Sequence, residues 1–213
     1  MKRTLGLMLL CCATASANLI TNGSFETGTF TGTNFTRVAA GQMNLTGWTV
    51  LGVAVDWHNT NEFGLMHNGT RAVDLNLDGG SSGTGVLQQS FSSAIGATYL
   101  LRFFAAAPTV SGLGARSMRA SVGNGIALDI NLTNSPQRAM VWTEYTLQFN
   151  AVSTTSTIAF ASLNSAGFWG PVIDSVSVQE VNNAVPEGNS AWLLLGGGIA
   201  ALVGQKRVAG SSR

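Results

Sequence analysis

Apolar residues at every second position, in one short segment after another, constrain this chain more than any other feature of its sequence. Thr49, Leu51, Val53 and Val55 share one parity, as do Val73, Leu75 and Leu77, then Ile126, Leu128, Ile130 and Leu132, and then Val141, Tyr145, Leu147 and Phe149. A repeat of two places alternate side chains on opposite faces of an extended strand, so each run predicts a strand with one buried face. Thr98–Ala106 (TYLLRFFAA) is apolar almost throughout, as a strand in the middle of a sheet would be. Turn-rich stretches such as Asp78–Gly85 and Ser111–Ala115 separate the runs. No stretch inside the domain carries the 3.6-residue period of an amphipathic helix. The pattern predicts roughly eight to ten short strands, hence an all-β fold: an antiparallel two-sheet sandwich, most simply a jelly roll.

The two ends read as addresses rather than as parts of this sandwich. Lys2 and Arg3 precede the apolar run Leu5–Leu10, and Ala15-Ser16-Ala17 is a small-x-small site, so residues 1–17 are expected to be a signal peptide cut by signal peptidase before Asn18. Both cysteines, Cys11 and Cys12, lie in this leader. The remaining chain has no thiol to cross-link, and its stability must come from an ordinary core, with or without help from a metal. At the other end, Val185-Pro186-Glu187 opens a tail whose apolar run, Ala191–Val203, stops at Lys206 and Arg207. That run is shorter than the ~20 residues that comfortably span a bilayer. Residues 185–213 resemble the PEP-CTERM class of bacterial sorting signals, nearest the VPDSG variant, with Glu187 where that variant has Asp. The resemblance implies an exosortase-like membrane enzyme as processing partner and a transiently membrane-anchored, cell-surface destination. A plain short membrane anchor or a buried terminal helix is the alternative reading.

Residues 18–184 have the size of one domain. Its basic residues are Arg37, Arg71, Arg102, Arg116, Arg119 and Arg138, and of the ten acidic residues only Glu187 lies outside it. This slightly acidic balance, without a single lysine, argues against a nucleic-acid partner. Motifs for catalysis are equally poor. Gly79-Gly80-Ser81-Ser82-Gly83 satisfies G-x-S-x-G in form, yet no helix follows to make a nucleophile elbow. His58 and His67 are the only histidines, at a spacing that does not suit zinc. Asp74-Leu75-Asn76-Leu77-Asp78-Gly79 matches the first half of an EF-hand loop, but Gly85 stands where the bidentate Glu belongs. Its polar residues are expected on the solvent face of a strand. The chain is therefore read as no enzyme, although a carboxylate pair for glycan hydrolysis is a three-dimensional matter.

Acids and aromatics supply the better leads. Asp174 shares parity with Val172, Val176 and Val178, which puts it on the apolar face of its strand, where a carboxylate needs hydrogen-bond donors or a cation. Trp142 lies on the polar parity beside Glu144, Phe168-Trp169 sits in a turn before the last strand, and Trp57-His58 closes another strand near Asn59 and Asn61. Rings stack on the apolar faces of sugars while neighbouring polar groups bond the hydroxyls. Trp142, Trp169, Phe168 and His58 are accordingly the candidate ligand-binding residues.

Several segments carry a family resemblance: NLITNGSFE (18–26), GWTVLGVAVDW (47–57), GTRAVDLNL (69–77), GVLQQSF (85–91), GATYLLRF (96–103) and VIDSVSV (172–178). Together they resemble the DUF642-like "choice-of-anchor" domains, galactose-binding-like jelly rolls allied to many carbohydrate-binding modules. The resemblance implies core roles for Trp48 and Trp57. It also implies that Glu26 and Asp174 meet across adjoining termini and hold a structural Ca2+ with backbone carbonyls; the competing reading is that Asp174 accepts backbone N–H bonds and Glu26 caps a turn. The functional expectation is a secreted, surface-sorted, non-catalytic protein that binds extracellular polysaccharide or cell-wall glycan. A self-associating matrix protein without a glycan ligand is the alternative, and a glycan-active enzyme the third.

Overall fold

In the computed structural model, residues 17–77, 83–108, 115–136, 139–164 and 169–181 are described. The expected leader and tail, the Ser81 loop and Phe168 lie outside these residues. Twelve strands are present among them: β1 (Phe35–Ala39), β2 (Thr49–Gly52), β3 (Ala54–Asn59), β4 (Arg71–Asp74), β5 (Gly85–Ser92), β6 (Thr98–Pro108), β7 (Arg116–Val122), β8 (Ile126–Leu132), β9 (Asn134–Ser135), β10 (Thr143–Asn150), β11 (Thr155–Ser162) and β12 (Val172–Glu180). One helical turn, α1 (Thr60–Phe63), joins them, capped by the Asn59 side chain and stopped at Gly64. The all-β expectation holds.

The strands form two sheets. One runs β1-β3-β4-β12-β6-β10, with β9 pairing in parallel at the end of β6, and the other runs β2-β5-β11-β7-β8. Every other pairing is antiparallel. Between the sheets lies a core that includes Trp48, Trp57, Leu87, Leu101, Phe103, Met118, Ile158 and Phe160. As its continuous apolar run predicts, β6 is central, held between β12 and β10. Val73 and Leu75 and the apolar parity of 126–132 also turn to the core.

Three expectations of burial are corrected. Leu51 and Val53 are exposed and Val50 is the buried residue of β2. The apparent run Thr49–Val55 is two strands in different sheets, and at Gly52, with φ of 76°, the chain leaves one for the other, so a single parity cannot describe both. In β12 a bulge shifts the register between Asp174 and Ser177, with Ser175 at φ 54°. The extra residue inverts the alternation. Ile173, Val176 and Val178 therefore enter the main core, while Val172 belongs to a second apolar cluster on the other side of the sheet. Finally, Asp74 and Asn76 are fully buried rather than solvated. The outer face of the larger sheet is roofed by Phe63 and Met66, which pack on Ala72 and Val172, with Met140, Trp142 and Trp169 around them. A roofed sheet buries both faces of its central strands, so alternation there no longer separates core from solvent.

Candidate functional site

The two core tryptophans place the first acid. Trp48 Nε1 donates to the Asn22 carbonyl and Trp57 Nε1 to the Phe25 carbonyl, each at 3.0 Å. These bonds and the buried Phe25 ring fix residues 22–25 across one edge of the sandwich and deliver Glu26 to the loop before β4. There Glu26 Oε1 accepts the N–H groups of Thr70 and Arg71 at 2.9 Å, and Oε2 accepts the Thr70 hydroxyl at 2.8 Å. At Gly69 the φ of 67° strains any residue with a side chain, and a Cβ would stand 2.5 Å from Oε1, so Glu26 would have to shift.

Asp174 grips the same loop from the other side. Its Oδ2 accepts the Asn68 N–H at 2.8 Å, and Oδ1 accepts the N–H of Ser175. The carboxyl is fully buried, and burial pushes its pKa up to about 7; the two N–H groups oppose that rise and the Glu26 charge adds to it. The structure thus brings Glu26 and Asp174 together, as two carboxylates bonded to the segment 68–71. No cationic side chain is paired with either among the described residues, and no third His, Cys, Asp or Glu joins them there. Each oxygen of both carboxylates accepts a backbone N–H or the Thr70 hydroxyl, as the competing reading of these acids expects; a hard cation would add the positive charge that these neutral donors do not supply.

A neighbouring group was not anticipated. His67 Nδ1 lies 2.7 Å from Ser175 Oγ, and the ring stacks on Phe104 at 3.4 Å with its edge toward Trp142 at 6.3 Å. Burial lowers the His67 pKa, while Glu144 works the other way. The loop seats His67 at the strand end, and only the β12 bulge turns Ser175 toward it; the sequence spacing gives no sign of the contact.

The aromatic candidates gather at the same end of the sandwich. Trp142 and Trp169 are both half-buried against the second apolar cluster. Trp142 Nε1 donates to the Leu65 carbonyl at 3.3 Å, and Trp169 meets Phe63 edge-on at 6.0 Å. His58 departs from this group: it is fully buried between Phe35 and Phe63, and burial, with the Arg37 charge, lowers its pKa to about 3. A ring in that position supports the site from beneath and touches no ligand at the surface. Beside it, Arg37 holds the buried Asp56 through two 2.8 Å bonds.

Two packed, almost wholly antiparallel sheets define a jelly-roll β-sandwich domain. A family model described as "Protein of unknown function (DUF642)" matches residues 18–179. The chain belongs to this family. Halomucin of Haloquadratum walsbyi is 29% identical over 173 residues, which make up 79% of this chain and 2% of that much longer protein. Among solved structures, TmCBM61 in complex with β-1,4-galactotriose is similar with a TM-score of 0.57 and 21% identity, over 78% of this chain and 100% of that one. The CBM22-1 xylan-binding domain of Paenibacillus barcinonensis Xyn10C gives 0.43 and 14%, over 80% and 98%. At 21% identity the likeness to TmCBM61 speaks of fold alone.

Proposed function

We propose that this domain is a non-catalytic carbohydrate-binding module, secreted and sorted to the cell surface, that attaches to extracellular polysaccharide. The observation that carries the reading is the pair of half-buried tryptophans, Trp142 and Trp169, at the loop end of the sandwich. Indole faces there can stack on sugar rings, and the exposed His67 beside Trp142 offers a polar group for hydroxyls. The fold likeness to TmCBM61, which was solved with a galactotriose, favours galactose-containing chains as first candidates. Family membership from Asn18 onward agrees with a mature chain that starts there. We infer further that Ca2+ bridges Glu26 and Asp174 as a structural ion.

Titration with β-1,4-galactotriose and a panel of matrix polysaccharides, followed by tryptophan fluorescence, tests the function. Wild type should bind, and Trp142→Ala or Trp169→Ala should weaken binding by about thirtyfold, the loss expected when an aromatic anchor is truncated. Unchanged affinity in both variants would remove the site. A wild type that binds no glycan, yet assembles as its concentration rises, would favour the self-associating matrix protein.

A further inference from the structure

Trp169 has a backbone that a large side chain rarely adopts, with φ of 47°. Such a conformation costs on the order of 1–3 kcal/mol and persists only where its surroundings over-determine it. Here they do so from both sides of one peptide unit. Arg116, buried at the start of β7, donates from Nε to the Trp169 carbonyl at 2.6 Å. Asp74, fully buried at the end of β4, accepts the next N–H, that of Gly170, on both carboxylate oxygens at 2.8 and 2.9 Å. Asp74 also accepts the Asn76 N–H at 2.8 Å and lies close enough to Arg116 for their charges to interact. Gly170 completes the clamp, since a Cβ there would stand 2.5 Å from the Asn76 side chain.

Roofing an apolar cluster does not require this arrangement. Phe63 and Met66 already bury Ala72 and Val172 with ordinary backbone, and a tryptophan that served only as a lid could relax. Burying two opposite charges is costly unless their geometry is fixed by further hydrogen bonds. Here both charges bond the same peptide unit, the one that follows the Trp169 ring. We propose that Asp74 and Arg116 are positioning residues that hold Trp169 as a rigid platform for a sugar ring, drawn from β4 of one sheet and β7 of the other. The proposal rests on the carbohydrate-binding reading and adds the machinery that sets its geometry. A platform fixed before binding avoids the entropic cost of ordering a loop at the moment of association.

The test compares Arg116→Lys and Asp74→Asn with wild type and Trp169→Phe. Near-UV circular dichroism reports the fixed indole, thermal melting reports the fold, and retention in gels containing galactan or the best polysaccharide of the panel reports binding. Arg116→Lys keeps a cation but loses the directed Nε bond. The expected result is a cooperatively melting protein that has lost the indole band missing from Trp169→Phe and is retained about tenfold more weakly. A persisting indole band would overturn the positioning role; a lost band with unchanged retention would overturn its link to ligand. If Arg116→Lys does not fold, Asp74→Asn, which keeps the acceptor oxygen and shape, is read by the same criteria. A wild type that binds no glycan fails the functional reading itself and takes the ligand half of the proposal with it, while the indole band still reports on the clamp.

Discussion

At the scale of single residues, Asp174 makes the sharpest prediction. Its carboxyl titrates near 3.8 when unfolded and near 7 when buried beside Glu26 without a cation. The folded state therefore binds more protons between these values, and stability falls as pH rises through that window. In chelator, melting should be highest near pH 4 for this group's contribution and should decline by on the order of 4 kcal/mol by about pH 7. Calcium should reverse the decline, adding about 2.7 kcal/mol at a hundredfold excess over its Kd. Asp174→Asn removes the titrating group. The difference between its melting curve and that of wild type should carry the whole slope, and its response to calcium should vanish. Identical pH profiles, or a wild type indifferent to chelator, would count against the cation.

At the scale of elements, two strands depart from strict alternation and each departure can be measured. In β2, Val50→Ala should destabilise by about 1–3 kcal/mol because it empties core volume, while Leu51→Ala should stay within about 0.5 kcal/mol. Alternation read from the sequence gives the opposite ranking, so denaturant titration of the two variants decides. In β12, deleting Ser175 would remove the bulge and restore unbroken alternation from Val172 to Glu180. With Val172 and Asp174 in place, Val176 then pairs opposite Phe103 and Val176 and Val178 keep their core positions, while Ser175 and its contact with His67 are lost. The expected outcome is a variant that still unfolds cooperatively but has lost the His67 contact; loss of cooperative unfolding would mean that the extra residue is needed to hold the strand on β6. The same bulge points Ser175 at His67 and sends its neighbour Asp174 toward Asn68. One inserted residue thus serves both the carboxylate pair and the His67 group.

At the scale of the molecule, β10 and β12 separate two ends. Trp142 and Trp169 precede the first residues of these strands, whereas Val181, just past the last residue of β12, bonds to Thr98 where β6 begins. Strands of eight and nine residues place those ends roughly 25–30 Å apart. Val181 thus lies at the end of the sandwich opposite the aromatic site. Capture of the domain on a solid support through a C-terminal tag should therefore leave glycan binding intact, and surface plasmon resonance in that orientation is the check. Intact-mass measurement of protein from its native host should give a chain beginning at Asn18 and lacking the segment beyond about Pro186. A full-length chain would refute the sorting proposal.

Fold class was legible in the sequence because burial of one strand face leaves a local signature: a period of two at 73–77 and 126–132, and a continuous run in β6. Glu26 and Asp174 were legible as a pair through their motifs, and Asp174 through its own burial. What the sequence could not carry were facts made by contacts distant along the chain. Whether the polar parity of β4 meets water depends on a roof built from residues 60–70, 139–142 and 169–171, and that roof makes Asp74 a buried clamp and His58 a buried support. The direction of Asp174 depends on a bulge that changes no residue type. Local periodicity decided that this chain makes two sheets of half-buried strands; only the tertiary structure decided which polar groups are taken out of water, because desolvation is set by what packs above a strand and not by the strand itself.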